Sequence, residues 1–427
     1  MTVVGRTLKA MEVDTRILGM VGALLVIWIA FHIWTGGLFI TPRNLFNLSV
    51  QTASVAVMAC GMVLIIVARH IDLSVGSLLG FLAMFMGVVQ TEWLPHLFGG
   101  GDGPAFGHAW IWVVTLAAGV AMGALIGALQ GYIIGFLAVP AFIVTLGGLL
   151  VWRGAAWWIT TGQTISPLDA NFRWLGGGAE GSLYFWPSWI VGILTCVAIC
   201  FSIWWARRER RRFDFPQKPL WAEYAIAATL SALVIAFVAT MTSYQVPSRA
   251  AERVYALRGW EVPEDGAHLV FGIAIPVLIL GIIAVFMTIL ARRTRFGRYV
   301  FAMGGNPDAA QLAGINTKRM TLWIFVIMGV LCAISAAIAS ARLASADNAV
   351  GTLDELRVIA AAVIGGTSLS GGRGTIFGAI LGALVMQSLQ SGMAMVGVDA
   401  PMQNIVIGIV LVLAVYVDQL YRRRTED

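Results

Sequence analysis

The sequence predicts an all-α, polytopic helical membrane protein with about 12 transmembrane segments, and three observations carry this prediction. Of the 427 residues, 59% are hydrophobic and 12% are charged, whereas soluble domains are roughly 45–50% apolar and about 25% charged. Apolar stretches of about 20 residues, enough to cross a hydrocarbon core of about 30 Å, recur almost from end to end. No gap between them could hold a soluble domain of about 100–150 residues. We therefore predict a single transmembrane domain, 1–427.

Each apolar stretch predicts one span, and some of the spans are expected to be broken or re-entrant. The first stretch is too uninterrupted, and too far from an Ala-x-Ala-like site, to be a removable signal peptide. The stretch 355–369 is shorter than about 20 residues, which is typical of a half-helix or re-entrant segment and leaves open whether it spans. The predicted spans are 17–40, 46–68, 73–90, 109–134, 141–160, 187–206, 221–242, 268–291, 320–341, 355–369, 374–396 and 403–420.

Basic residues beside the spans predict the orientation, because cytoplasmic loops carry the excess of Lys and Arg. Both termini are expected in the cytoplasm. The loop 91–108 has no Lys or Arg, and the loop 243–267 mixes both charge signs, so we place these two outside. The predicted cytoplasmic regions are the N-terminus 1–16, the basic loop 207–220, the segment 292–320 and the C-terminus 421–427.

Several function classes are excluded by what the sequence lacks. "SLSGGRGT" (368–375) resembles in letters the LSGG signature of ATP-binding cassettes, but no phosphate-binding GxxxxGK[S/T] loop accompanies it. No GxSxG or HExxH motif is present, and the Cys and His residues have no metal-ligand spacing, so we expect no catalytic residues and no metal. The net charge of +6 comes from basic residues at membrane flanks. That pattern favours contact with anionic lipid over nucleic acid.

Glycine is abundant, with 48 residues, many at small-residue spacing inside the spans. Examples are "GALIGALQG" (123–131), "LGGLL" (146–150) and "GTIFGAILGAL" (374–384). Small residues let membrane helices approach closely, and they also permit helix breaks that line a cavity. Packing is the simpler interpretation for any single glycine, whereas glycines beside polar residues are candidates for a pathway.

Two polar clusters interrupt the apolar pattern. "ARHIDLSVGS" (68–77) places Arg69, His70 and Asp72 between apolar segments with almost no loop. Charges at such depth mark a pathway or a paired site. Equally, Asp72 or Ser74 could cap the next helix in a tight interfacial turn while Arg69 snorkels. The second cluster lies within "ELRVIAAAVIGGTSLSGGRGT" (355–375), and 72–87 aligns loosely with 368–383, which weakly indicates an internal repeat.

The segment 292–320 carries the most specific local signals. Asn306 is a good N-cap, Pro307 suits the first helical position, and Asp308 favours the positive helix end. A short helix 307–313 is predicted, and Gly314 should stop it as a C-cap. Such a helix could dock in a groove of a cytoplasmic partner, or it could be a solvated loop helix.

These residues support a family resemblance. "DAAQLAG" (308–314) is similar to the acidic-Ala-Ala-xxx-Gly coupling segment of permease subunits in bacterial ATP-driven (ABC) importers. Four further stretches resemble the monosaccharide permease family for ribose, galactose, arabinose and xylose: "IDLSVGS" (71–77), "VPAFIVTLGGLLVWRG" (139–154), "GRYVFAMGGNPDAAQLAGIN" (297–316) and "VIGGTSLSGGRGTIFGAILGAL" (363–384). The likeness covers about residues 40–420. An extra pair of spans around "WWARRERRRFDF" (204–215) and the ending "VLAVYVDQLYRRR" (412–424) look most like the xylose branch.

The resemblance implies the permease subunit of a monosaccharide importer, for xylose or a related sugar, built from a core of about ten spans plus the extra pair. It implies a permease homodimer, a tandem-cassette ATPase that binds ATP and Mg, and a periplasmic sugar-binding protein. This chain would then be no enzyme and hold no cofactor. The implied ATPase-coupling residues are Gly305, Asn306, Asp308, Ala309, Ala310, Gly314 and Asn316. Asp308 departs from the family's usual glutamate by one methylene. Our candidate pathway residues are Asp72, Ser74, Gly76, Ser77, Thr367, Ser368, Ser370, Gln387 and Asn404.

Two other classes stay open at this point. An ion-coupled secondary sugar transporter would also show broken, glycine-rich spans. It would need an ion-coupling carboxylate, for which Asp72 is the candidate. A membrane-embedded enzyme would need a His, Ser or acidic constellation inside the spans, and none is evident.

Overall fold

The computed structural model describes residues 15–97, 110–264 and 266–426. Our predictions for residues 1–14, for 98–108 of the loop 91–108, for 265 and for 427 lie outside the described residues. The helices are α1 (Thr15–Trp34), α2 (Pro42–Val67), α3 (Val75–Val88), α4 (Leu94–Leu97), α5 (Ile111–Gly135), α6 (Ala141–Trp158), α7 (Phe185–Arg212), α8 (Leu220–Thr242), α9 (Ser248–Arg258), α10 (Ile275–Arg293), α11 (Arg295–Gly305), α12 (Pro307–Leu312), α13 (Thr317–Leu343), α14 (Asp354–Ile364), α15 (Ile376–Met395) and α16 (Ala400–Glu426). A π-turn, Val89–Trp93, joins α3 to α4, and a 3₁₀ turn spans Phe172–Gly176.

The all-α, multi-pass architecture is confirmed. Within the described ranges, ten helices are long and apolar enough to cross a membrane: α1, α2, α3 continued through α4, α5, α6, α7, α8, α10, α13 and α15. Two further predicted spans remain. The stretch 403–420 lies in α16, and 355–369 corresponds to α14, which has 11 residues. At about 1.5 Å per residue α14 is only about 16 Å long, so it is a half-helix followed by an irregular segment.

Backbone contacts define two ends of the bundle. The near end carries the segment 292–320, and Gly372 N donates to Val67 O there at 2.9 Å, which adds the end of α2 and the loop before α15. The far end carries the connections 159–184, 243–274 and 344–353. Isolated antiparallel bridges join these connections, Ile165 with Ala346 and Ser182 with Ala274, and a third, Gln245 with Val270, closes the connection 243–274 on itself.

Burial separates central from peripheral helices. In the most apolar window of α2, 94% of the residues are buried inside the protein, and in that of α3 with its continuation 83% are. The corresponding share is 6% in both α1 and α7. Since a lipid-facing helix has no need of protein neighbours, this contrast places α2 and α3 at the centre and α1 and α7 at the outside.

Small-residue packing accounts for the glycine stripe of α5. A Cβ on Gly131 would lie 2.7 Å from Cα of Leu322, and one on Gly135 would lie 2.7 Å from the carbonyl oxygen of Lys318, both at the start of α13. Gly123 and Gly127 meet the backbone of α13 further along. The stripe in "GALIGALQG" is therefore a helix-packing surface, which lets two backbones touch.

Three predicted connections contain more helix than the sequence indicated. α7 continues through the basic cluster to Arg212, where Arg207 pairs with Glu223 of α8 at 2.7 Å, so the turn between the extra helices is only 213–219. The loop 243–267 contains α9, which ends at left-handed Gly259. The segment 292–320 contains α11 as well as the predicted short helix.

Candidate functional site

The segment 292–320 is a chain of capped helices at the near end. Thr294 Oγ1 accepts from Gly297 N at 3.2 Å and begins α11, whose Val300 and Met303 are buried. Asn306 then ends α11 and begins α12, because its Oδ1 accepts from Ala309 N at 3.0 Å. The predicted N-cap is confirmed.

The short helix α12 presents its outer face to the surroundings. It covers Pro307–Leu312, one residue less than predicted, and Gly314 follows with a left-handed φ of +81°. Asn316 caps α13 by accepting from Arg319 N at 3.0 Å. Ala310 is buried, whereas Asp308 is exposed and Leu312 is 90% exposed. A rigid, capped turn with an acidic and an apolar side chain pointing outward is suited to a groove on another protein.

The two interruptions of the apolar pattern both lie against this segment. Arg69 donates from Nε to Gly304 O at 2.7 Å and from Nη2 to Gly305 O at 2.6 Å. A Cβ on Gly372 would lie 3.2 Å from Cα of Gly305. Arg69 is therefore bound to the protein rather than extended to the interface. The structure brings residues 68–74, 304–305 and 371–372 into one junction.

Asp72 and Ser74 form a buried polar turn before α3. Both the backbone N and Oγ of Ser74 donate to Asp72 Oδ1, at 2.8 and 2.6 Å, and Gln130 Nε2 donates to Ser74 Oγ at 3.0 Å. Ser77 Oγ donates to Ser74 O at 2.9 Å. Asp72 is 1% exposed. The Asp72 carboxylate therefore orders the turn that leads into α3, and it lies buried between helices.

The second interruption, 365–375, depends on backbone geometry. Gly366, Gly371 and Gly372 have φ of +85°, +86° and +73°. Thr367 and Ser368 are buried, and Oγ atoms of Ser368 and Ser370 lie 2.9 Å apart. "SLSGGRGT" is thus part of a break between α14 and α15.

The remaining candidate pathway residues lie elsewhere. Gln387 of α15 donates from Nε2 to Gln51 Oε1 of α2 at 2.8 Å, between two helices. Asn404 is exposed on α16, on a concave apolar face with Gly408 and Val412. Gly76 lies at the start of α3, where a Cβ would collide with Glu355 Oε2 and Gly351 O. The nine candidates therefore form no single pocket.

Sequence reasoning missed a partly buried charge cluster where α3 meets α14. Arg153 of α6 donates from Nη1 to Asn348 O at 2.7 Å and Val350 O at 3.1 Å. Arg357 pairs with Asp354 at 2.8 Å, and Glu355 is 7% exposed at the first turn of α14. Helix N-termini carry partial positive charge, so the carboxylates stabilise this helix start. The available signal was a charge inside an apolar span, in "LLVWRGAAWW".

The far end holds a cavity of about 700 Å³ with aromatic and basic walls. The guanidinium of Arg258 lies 5.0 Å from the ring centroid of Tyr184 and 5.1 Å from that of Trp260. Trp186, on the same wall, is 74% exposed. The exposed aromatic and basic side chains of this cavity form a surface that suits contact with another molecule, at the end opposite α12. No cluster of His, Cys, Asp or Glu in the described part of the chain is suited to a metal ion.

Comparisons with known proteins agree with the family resemblance predicted from the sequence motifs. The xylose transport system permease protein of Haemophilus influenzae is 34% identical over 423 residues, covering 97% of this chain and 99% of that protein. The xylose transport system permease protein of Escherichia coli K12 is 33% identical over 97% of this chain and 94% of its own length. The ribose import permease protein of Escherichia coli K12 is 32% identical over 89% of this chain and 87% of its own length.

No solved structure was found to match the chain significantly. The family model that matches is described as the branched-chain amino acid transport system permease component, and the match covers residues 44–415. The match begins in α2 and ends in α16, so it includes the polar turn before α3, the segment 292–320 and the break before α15. The chain therefore belongs to this family of transport-system permease components.

Proposed function

We propose that this chain is the permease subunit of an ATP-driven importer for xylose or a closely related monosaccharide. The observation that carries the proposal is the end-to-end match to two xylose permeases, over 97% of this chain. The ribose permease matches over a smaller share, 89%. Ten helices of the described residues are long and apolar enough to cross a membrane. The connections between them are too short to hold a separate ATPase domain.

α12 is the proposed docking element for a tandem-cassette ATPase that binds ATP and Mg. Its support is geometric: both ends of α12 are capped, and Asp308 and Leu312 project from it. In this proposal Gly305, Asn306, Ala309, Ala310, Gly314 and Asn316 set the shape and position of α12, while Asp308 and Leu312 contact the ATPase. Movement of the ATPase would then reach the spans through the near end. Asp72, Ser74, Gly76, Ser77, Thr367, Ser368, Ser370, Gln387 and Asn404 remain our candidates for the pathway.

The proposed orientation of the chain in the membrane follows from its basic residues, and the orientation assigns a partner to each end. Arg292, Arg293, Arg295 and Arg298 flank the start of the segment 292–320, which favours the cytoplasm for the near end and for both termini in the bacterial inner membrane. The far end, with its aromatic and basic cavity, would then face the periplasmic sugar-binding protein. We propose two copies of the chain per transporter, surrounded by lipid.

The experiment is reconstitution in lipid vesicles. Purified chain alone should neither hydrolyse ATP nor accumulate radiolabelled xylose. Addition of a partner ATPase and a periplasmic sugar-binding protein should produce both activities. Unlabelled ribose, galactose, arabinose and leucine added as competitors would define the substrate. Uptake driven by a proton or sodium gradient through the chain alone would instead establish the secondary-transporter class.

Replacing Gly314 by Val tests the docking role of α12. A β-branched residue at a left-handed position costs about 1–2 kcal/mol, and a Cβ at Gly314 meets nothing within 4 Å, so the effect should stay local. We expect Gly314→Val to insert normally while co-purifying poorly with the ATPase. Gly397→Val is the matched control, since Gly397 has φ of +78° and an equally open Cβ position at the far end. Equal loss of ATPase in both variants would contradict the docking role.

A further inference from the structure

Arg69 occupies a backbone conformation that an arginine rarely adopts. It follows Ala68, the C-cap of α2, and has a φ of +64°. Helices commonly end with a left-handed residue at this position, but that residue is usually glycine, because a Cβ is unfavourable there. A side chain kept in a strained position is a sign that the side chain is used.

The guanidinium of Arg69 donates two hydrogen bonds to the end of α11. Its two bonds, 2.7 Å to Gly304 O and 2.6 Å to Gly305 O, reach carbonyl groups at the C-terminal end of that helix. This end carries partial negative charge, so a cation is favourable there. A planar guanidinium can hold two neighbouring acceptors at once, whereas an ammonium group lacks that rigid fork.

A third segment packs on the same side chain. A Cβ on Gly371 would lie 2.5 Å from Cγ of Arg69 and 2.6 Å from Gly304 O. Gly372 N donates to Val67 O at 2.9 Å. Arg69 is exposed as a whole, but its aliphatic part packs between the end of α11 and the loop before α15, so it contacts both segments.

Residues after Arg69 lead directly to the start of α3. His70 Nε2 lies 3.4 Å from Thr321 Oγ1 of α13, and Thr145 Oγ1 of α6 donates to Ile71 O at 3.3 Å. Asp72 then orders Ser74, the residue before α3. Few residues separate the guanidinium from a central helix, and His70, Ile71 and Asp72 each contact a polar partner, so a displacement of Arg69 can be passed on to α3.

We propose that Arg69 is a positioning residue that transmits movement of α11 and α12 to the start of α3 and to the loop 365–375. This inference rests on the proposed docking of an ATPase on α12, and it adds the route by which docking reaches the spans. The pathway is opened or closed, in this account, by the junction of 68–74, 304–305 and 371–372 moving as one unit.

The test compares Arg69→Gly, Arg69→Lys and Arg373→Gln in the complete reconstituted complex. Glycine suits the left-handed backbone, so Arg69→Gly removes the guanidinium and its two hydrogen bonds without adding backbone strain. Arg373 is exposed in the loop before α15, so its loss controls for removal of a positive charge nearby. The measured quantity is xylose taken up per ATP hydrolysed, together with co-purification of the ATPase.

We expect Arg69→Gly to co-purify normally and hydrolyse ATP while its uptake per ATP falls about tenfold, a common size for coupling between sites. Arg69→Lys should lie between Arg69→Gly and the wild type, and Arg373→Gln should match the wild type. A wild-type ratio in either Arg69 variant overturns the inference. Loss of ATPase co-purification in Arg69→Gly also overturns it, because Arg69 would then serve docking. A wild-type complex without sugar-dependent ATP hydrolysis would refute the proposed function instead.

Discussion

Two interruptions of the helical bundle, residues 68–74 and residues 365–375, each lead from the end of a buried helix to the start of another at the near end. They are ordered by different chemistry. The first is held by side chains: Arg69 binds two carbonyl groups, and Asp72 binds Ser74 twice. The second is held by close backbone contacts at Gly371 and Gly372, both with left-handed φ.

The difference indicates how a membrane protein can break a helix in two ways. Within a bilayer every backbone polar group needs a partner, so a break must be buried in protein or line a cavity. Polar side chains supply those partners at 68–74, buried ones at Asp72 and Ser74 and an exposed one at Arg69, whereas the absence of side chains lets neighbouring backbones supply them at 365–375. The first interruption should therefore respond to loss of polar atoms, and the second to added bulk.

Gly371→Val should have the largest effect. The new Cβ would lie 2.6 Å from the backbone oxygen of Gly304, which cannot rotate away, and the residue would keep an unfavourable φ of +86°. We expect roughly 3 kcal/mol or more of destabilisation from overpacking and strain together. The loss of stability is measured as a lower thermal midpoint in detergent, with size-exclusion chromatography used to detect unfolding.

Gly366→Val is the control for that variant. Gly366 has nearly the same φ, +85°, but a Cβ there would meet only Arg16 Cδ at 4.0 Å. Gly366→Val should lower the free energy of unfolding only through the unfavourable backbone conformation, by about 1–2 kcal/mol. If both variants lose the same stability, backbone conformation rather than close approach determines the second interruption.

Asp72→Ala should have the next largest effect, at the first interruption. It would leave the backbone N–H of buried Ser74 without its acceptor, which costs about 1–3 kcal/mol. The Ser74 hydroxyl keeps Gln130 Oε1, 3.4 Å away, as another acceptor. Asp72→Asn retains an acceptor oxygen and should recover most of the loss in the same thermal assay. An Asn variant as unstable as the Ala variant would mean that charge, rather than hydrogen bonding, orders the turn.

Local sequence signals were sufficient for most of the architecture. Apolar length predicted the spans, and the Asn-Pro-Asp start with Gly314 predicted α12 to within one residue. α11 was not predicted, because "RFGRYVFAMGG" contains three glycines and reads as a weak helix former. It forms because Thr294 caps it and because Val300 and Met303 are buried. Packing overrides propensity there.

Long-range partners could not be predicted from one sequence. Arg153 binds Asn348 and Val350, which lie nearly 200 residues away in the chain, and Arg69 binds carbonyl groups more than 230 residues away. A charged residue inside a span indicates that a partner exists but does not identify it. For Arg69 the sequence therefore left snorkelling open, and only the fold supplied the end of α11 as its partner.

The smallest predicted effects come from removing one hydroxyl group in each interruption and comparing the two losses of stability. Ser74 Oγ is buried, donates to Asp72 and accepts from Gln130, so Ser74→Ala should cost about 1–3 kcal/mol. Ser370 is exposed, and its Oγ lies 2.9 Å from Ser368 Oγ, so water can replace what Ser370→Ala removes. We expect less than about 0.5 kcal/mol for that variant. Equal shifts of the thermal midpoint would show that side chains order both interruptions alike, whereas a large difference would leave the second one dependent on its glycines.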